Sequence, residues 1–254
     1  MTSNSNLIRF KRDYQMHIDN LANNLVNQFE SGEAIAEDIL EIIREIYEAA
    51  KVEKELSNNQ FEVAYHTSVT GDVEFLFARF FYHLIEAREL NWKVYLRRQF
   101  QRIVPDIRIE SEGKTLAIIE IKSKVGWMQS FFSKDRVKHD LERLKSGEST
   151  LNPEVDILKK RNQLWKYIEH FNINSDRFYV LVPSLKQVYR KKYGRKYEYF
   201  KSCFSDHSKL PSENLVVLSN DLTYEVSDLL SPSSVTNEFE IMVNKVICCE
   251  LSNT

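Results

Sequence analysis

Glycine and proline are scarce, six and five among 254 residues. That excludes collagen-like segments, Gly/Pro-rich linkers and turn-dense repeat barrels. Cysteine is scarcer still. Cys203, Cys248 and Cys249 form an odd set with no CxxC spacing, so neither a zinc ribbon nor a disulfide framework is expected. No apolar run approaches the roughly 18 residues of a membrane span, and no apolar segment follows Met1. The expectation is therefore a cytoplasmic protein in a reducing setting, with no membrane partner. The six histidines fall in no HxxxH or HExxH pattern. No GxxxxGK[ST], GxGxxG or GxSxG occurs, which leaves no signal for an NTPase, a dinucleotide enzyme or a hydrolase elbow.

An excess of one charge is also missing. There are 35 Lys+Arg against 37 Asp+Glu, a net charge of −2, which excludes a wholly basic nucleic-acid coat and an acidic disordered tail. The balance is uneven along the chain, however. Residues 1–57 hold eleven acids and six bases, a net −5, so residues 58–254 carry the difference, +3. Within the second part, residues 183–201 hold seven Lys/Arg and one Glu, a net +6.

What is present is enough apolar side chain, 43% of residues with 12% aromatic, to bury a substantial core. The length suits one large domain, or one domain with a helical extension. Residues 7–29 and 33–56 read as helices, the second with Ile35, Ile39, Ile42, Ile43 and Ile46 on one face. Ser57-Asn58-Asn59 marks a boundary. A third helix is expected after Gly71, running to about Leu90, with Asp72 as its N-cap and Phe77, Phe81, Leu84 and Ile85 as its buried stripe. Strand-like stretches follow at 92–100, 104–110 and 115–121, the last two forming a hairpin around Ser111-Glu112-Gly113-Lys114. Residues 128–153 are polar and ambiguous. A helix is expected over about 154–170, a buried strand over 176–183, a basic Tyr-rich helix over 184–204 and a last strand over 214–218. This order predicts an α/β fold with a mixed sheet. It divides the chain into an N-terminal helical region (1–58), a core (59–230) and a C-terminal tail or helix (231–254).

The hairpin carries the chemistry. Glu120 and Lys122 are two apart on a strand and share a face. A three-residue loop at 112–114 sets Ser111 opposite Thr115, and counting back sets Asp106 opposite Glu120, with Cβ atoms about 5 Å apart. A one-residue change in register would turn Asp106 away. Two adjacent carboxylates repel unless a cation lies between them. Mg²⁺ suits such a pair, polarises a phosphodiester and lowers the pKa of a bound water. Lys122 is placed to orient or deprotonate that water, or to offset charge on phosphorus. Leu116, Ala117, Ile118, Ile119 and Ile121 surround Glu120, so a carboxylate there needs a reason.

Pro105-Asp106, thirteen residues, then Glu120-Ile121-Lys122 resembles the motif of the PD-(D/E)xK nuclease superfamily, the restriction-endonuclease-like fold. Gln163-Leu164-Trp165-Lys166-Tyr167 resembles the QxxxY motif of RecB-like members, on the helix after the hairpin. The resemblance covers roughly residues 70–220. It implies an αβββαβ core, a mixed central sheet flanked by helices, with residues 1–58 as a helical extension. It also implies Mg²⁺ as cofactor, with Mn²⁺ able to substitute, and phosphodiester hydrolysis. Asp106, Glu120 and the backbone carbonyl of Ile121 would hold the metal. Lys122 would assist the water, Glu74 on the preceding helix would support the network, and Gln163 and Tyr167 would orient the site. Other readings stay open. Asp106 fits a turn after Pro105. Glu120 and Lys122 fit a solvated strand end, and Lys124 rivals Lys122 on the same face. Gln163 and Tyr167 also fit the flank of a core stripe, and Glu74 is favoured near a helix N-terminus in any case.

The basic segment Lys186, Arg190, Lys191, Lys192, Arg195, Lys196 and Lys201, interleaved with Tyr189, Tyr193, Tyr197 and Tyr199, fits a DNA backbone as partner or a solvated face. The leading expectation is a DNA endonuclease of restriction or phage-defence type, acting as a homodimer, with the acidic N-terminal helices contacting protein. A structure-selective or repair nuclease on single-stranded DNA or RNA, and a catalytically inactive nuclease-fold DNA-binding subunit, are the alternatives.

Overall fold

The computed structural model describes residues 3–55, 69–122, 153–185, 197–224 and 230–248. Helices α1 (Ser3–Glu30), α2 (Ala36–Glu55) and α3 (Val69–Ala87) precede three strands, β1 (Trp92–Leu96), β2 (Ile107–Ser111) and β3 (Lys114–Ile121). Helix α4 (Pro153–Phe171) leads to β4 (Phe178–Ser184), α5 (Tyr197–Ser208) to β5 (Leu215–Ser219), and α6 (Glu238–Ile247) follows. The strands form one sheet in the order β1-β2-β3-β4-β5, antiparallel as far as β3 and parallel from β3 to β5. The protein is thus α/β with a mixed five-stranded sheet and, among the described residues, six α-helices.

Alternation along the strands divides the core into two layers. Ile107, Ile109, Ala117, Ile119, Ile121, Tyr179, Leu181, Val216 and Leu218 face α1, α2, α3 and α6. Ile118, Phe178, Val180, Val182, Leu215 and Val217 face α4 and α5. Every residue of β4 and β5 is buried, as parallel strands covered on both faces must be. Helix α6 is part of this core. Phe239 lies 5.4 and 5.2 Å from the rings of Phe77 and Phe80, and Met242, Val243 and Val246 are inaccessible. At about 1.5–3 kcal/mol for each large apolar side chain buried, α6 adds substantially to stability. The Glu240 carboxylate also accepts the Ile35 backbone N–H (2.9 Å) just before α2. The first two helices share the same core through Ile18, Leu25, Ile39 and Ile43.

Three local expectations are corrected. Helix α3 starts at Val69, so Gly71 and Asp72 lie inside it and Asp72 is not its N-cap. The Asp72 carboxylate instead accepts Tyr14 Oη (3.3 Å) and Lys11 Nζ (3.4 Å) from α1. The strand over 92–100 stops at Leu96. Arg97 turns left-handed (φ 46°), and the chain then makes a tight turn at Gln101 and Arg102 between Phe100 and Ile103. The hairpin loop has two residues, not three: Ser111 pairs with Lys114, and Glu112 and Gly113 both adopt positive φ, as a twist-compatible two-residue turn requires.

Candidate active site

A two-residue loop alone would have placed Asp106 out of phase with Glu120. A β-bulge restores the phase. Glu110 pairs with Thr115 but Ile109 with Ala117, so Leu116 opposes no residue of β2. Beyond the bulge Ile107 pairs with Ile119, and the next residues outward are Asp106 and Glu120. Their side chains interlock. The Asp106 backbone N–H donates to Glu120 Oε1 (3.2 Å), and the Ile121 N–H donates to Asp106 Oδ2 (2.8 Å).

Lys122 closes the cluster. Its N–H donates to the Leu181 carbonyl (2.9 Å), extending the parallel ladder one residue past β3. Its ammonium then turns back between the carboxylates, 2.9 Å from Glu120 Oε2 and 3.3 Å from Asp106 Oδ2. Glu120 is 3% exposed. Burial first, and the Asp106 charge second, push its pKa up in spite of the lysine contact. Burial also works against the Lys122 ammonium, but the Glu120 and Asp106 charges overcome it and its pKa rises. One ammonium serving two carboxylates explains both directions. Lysine gains two partners, while each acid receives only part of one cation.

Helix α3 adds a third acid. Glu74 is buried, and burial together with the Asp106 charge raises its pKa, against the opposing pull of Arg97. Arg97 holds it through an Nε hydrogen bond, and the Arg97 backbone N–H donates to the Asp106 carbonyl (3.0 Å). Arg97 thus ties Glu74 to the strand segment bearing Asp106. Sequence reading missed it. The available signal was charge: three carboxylates converging on one lysine need a second cation.

From α4, Tyr167 lies over the cluster's flank. Its ring stacks on Phe178 and its hydroxyl donates to the Val104 carbonyl (3.3 Å). Burial and the Glu120 and Asp106 charges raise its pKa to about 12, with the Gln163 side chain in hydrogen-bonding reach of the hydroxyl. Gln163 itself is exposed. Arg108, two residues from Asp106 on the same strand face, is engaged elsewhere. It pairs with Glu110 (2.7 Å) and lies against the rings of Tyr95, Phe100 and Phe171.

The structure therefore brings Asp106, Glu120, Lys122, Glu74 and Tyr167 together, with Gln163 at the edge. Lys124, Lys186, Arg190, Lys191, Lys192, Arg195 and Lys196, with Tyr189 and Tyr193, lie outside the described residues. Lys201 is a correction. Only 14% of its side chain is exposed, and its ammonium binds Glu238 Oε2 (2.7 Å) and the Leu215 carbonyl. Tyr197 binds the other oxygen of Glu238 (2.7 Å). These two residues pin α5 to α6 and do not form an open basic face.

Among the described residues no group of three or more His, Cys, Asp or Glu is arranged to hold a metal ion. The donor chemistry at Asp106 and Glu120 nevertheless fits a hard divalent cation. The donors are carboxylate oxygens, and the Ile121 peptide faces the Asp106 side of β3, as its N–H bond shows. Three carboxyl groups, Glu74, Asp106 and Glu120, share two cations, Arg97 and Lys122. Such a cluster can bind a cation, hold a phosphate oxygen on Lys122 and order a water. No protein-family model, curated protein or solved structure matches the chain.

Proposed function

We propose that this protein is a Mg²⁺-dependent endodeoxyribonuclease of the PD-(D/E)xK type, acting in restriction or phage defence. One observation carries the reading. Asp106 on one side of the hairpin and Glu120 and Lys122 on the other converge at one end of the sheet, with Lys122 bridging two opposed carboxylates. The element order α3-β1-β2-β3-α4-β4, antiparallel then parallel, agrees with an αβββαβ core.

Asp106, Glu120 and the Ile121 carbonyl are the residues to hold the ion. When bound, Mg²⁺ supplies Lewis acidity to the phosphodiester and acidifies a water. The chain's own groups do the rest. Lys122, with its raised pKa, stays protonated at neutral pH. It is placed as a cation and hydrogen-bond donor towards developing phosphate charge. Tyr167 likewise keeps its proton and holds the Val104 carbonyl, which fixes the segment leading into Pro105-Asp106. Arg97 binds Glu74 and partly offsets the burial and the Asp106 charge that raise its pKa. A homodimer would set two such centres on the two strands of a duplex.

The test is incubation of the purified protein with supercoiled plasmid, linear duplex, single-stranded DNA and RNA, with Mg²⁺ or EDTA. Mg²⁺-dependent nicking or linearisation of plasmid, lost in Glu120→Ala and Lys122→Ala, is the expected result. No cleavage of any substrate, or equal cleavage by both variants, would overturn it.

A further inference from the structure

Arg97 has two sides. Its Nε faces the buried Glu74, while 45% of its side chain is exposed. That exposed side lines an open cleft of about 600 Å³ between α1, α2, α3 and the end of β1. The cleft has apolar walls in Ile46, Phe75 and Leu96, and a polar rim in Lys11, Tyr14, Gln15 and the Asp72 carboxylate that Lys11 and Tyr14 bind. Its size and mixture of apolar wall and few polar groups suit a small ligand.

Three features select the ligand. Arg97 lines the cleft with nearly half of its side chain exposed, and its guanidinium is a planar donor group matched to phosphate. Lys11 brings a second cation to the same rim. Its contact with Asp72 is long (3.4 Å), and more than half of its side chain is exposed. Phe75 is half-buried in the wall, and aromatic faces accept bases of any sequence. The cleft also begins beside the catalytic cluster, because Arg97 is bonded through its backbone to Asp106.

We propose that this cleft binds one nucleotide, with the phosphate on Arg97 and Lys11 and the base against Phe75 and Leu96. The choice of a nucleotide rests on the nuclease reading above. A base seated there has left its stack, so the substrate strand is single or locally unpaired next to the cleavage point. The same chemistry is offered by a free nucleoside monophosphate, and the two sources separate by experiment.

Binding is measured in EDTA, where no cleavage occurs, by titrating the full chain with three probes: a thymidylate hexamer carrying a 5′-phosphate, a fully paired hairpin duplex and thymidine 5′-monophosphate. Saturable binding of the hexamer, at least about tenfold tighter than of the duplex, is expected. Ala49 is exposed on the cleft edge, so Ala49→Trp obstructs the cleft without disturbing the core. It should weaken hexamer binding about tenfold or more. Arg97→Lys keeps a charge beside Glu74 but removes the fork, and should do the same. If the monophosphate binds as tightly as the hexamer, the cleft is a mononucleotide site; if only the hexamer binds, it holds a strand. No saturable binding, equal binding by Ala49→Trp, or equal affinity for the duplex overturns the inference. Because the readout needs neither metal nor turnover, an inactive protein that still binds through the cleft would overturn the nuclease reading alone. An active protein with no cleft-dependent binding would overturn this inference alone.

Discussion

Removing the Lys122 ammonium should destabilise the fold by an amount that depends on pH. At 2.9 and 3.3 Å, and an effective dielectric of about 20, each carboxylate contact is worth roughly 5–6 kcal/mol of Coulomb energy. Lys122→Ala forfeits both and leaves Glu120 facing Asp106. The folded chain has one escape, which is to protonate Glu120. That escape costs about 1.36 kcal/mol for each pH unit above the unfolded carboxyl value of about 4.3. The part of the loss carried by the Glu120 charge is therefore capped near 3.7 kcal/mol at pH 7 and near 1.6 kcal/mol at pH 5.5. The sign follows from the raised folded pKa of Glu120. The folded state binds more protons than the unfolded one, so stability falls as pH rises from the unfolded value through the folded one. Lys122 in the native protein behaves differently. With its folded pKa raised, its contribution is complete below about pH 10.4 and is lost above that value. Urea denaturation of both proteins at pH 5.5 and 7 measures the difference. Mg²⁺ should stabilise the variant more than the native protein, because no ammonium then competes for the space between the acids. Saturation to a hundred times Kd adds about 2.7 kcal/mol. A variant as stable as the native protein at pH 7, or a loss of equal size at both pH values, would refute this electrostatic account.

Leu116 opposes no residue of β2, so its deletion should leave Glu110 opposite Thr115, Ile109 opposite Ala117 and Glu120 opposite Asp106, and cleavage should persist; a folded but inactive deletion variant would contradict the register. Lys201→Met leaves Glu238 with only its Tyr197 and Val217 bonds and should lower unfolding stability by about 3 kcal/mol while DNA binding keeps its salt dependence. A flattened salt dependence with unchanged stability would mean that Lys201 meets phosphate instead.

The register of the hairpin illustrates how far the sequence could be read. Counting from the apolar pattern set Asp106 opposite Glu120, and they are neighbours, yet the route was different. Glu112-Gly113 is a sufficient two-residue turn, and the residue assigned to the loop is absorbed at Leu116. Alternating burial determines the phase wherever one face must be dry, so the phase survives a wrong loop length. The parallel strands were legible because both their faces are buried and their apolar runs are continuous. Caps and ion pairs were less so. Asp72 looks like an N-cap from its neighbours, but α3 begins three residues earlier, and the Tyr14 and Lys11 that bind Asp72 lie more than fifty residues away. Lys201 belongs to a basic run in sequence but to Glu238 in space. Arg97 carried no local signal at all, because its role comes from a turn after β1 that brings it to Glu74.

The most direct test of the proposed centre is the rate of supercoiled plasmid cleavage in Mg²⁺ by the native protein and by Glu120→Gln. The amide keeps the shape of the buried side chain and removes the carboxylate repulsion, so the variant should fold at least as well. Its cleavage rate should nevertheless fall about 100-fold or more, with native cleavage abolished by EDTA. Cleavage by Glu120→Gln within a few-fold of the native rate, or native cleavage that persists in EDTA, would contradict the assignment of Asp106, Glu120 and Lys122 as a metal-dependent phosphodiesterase centre.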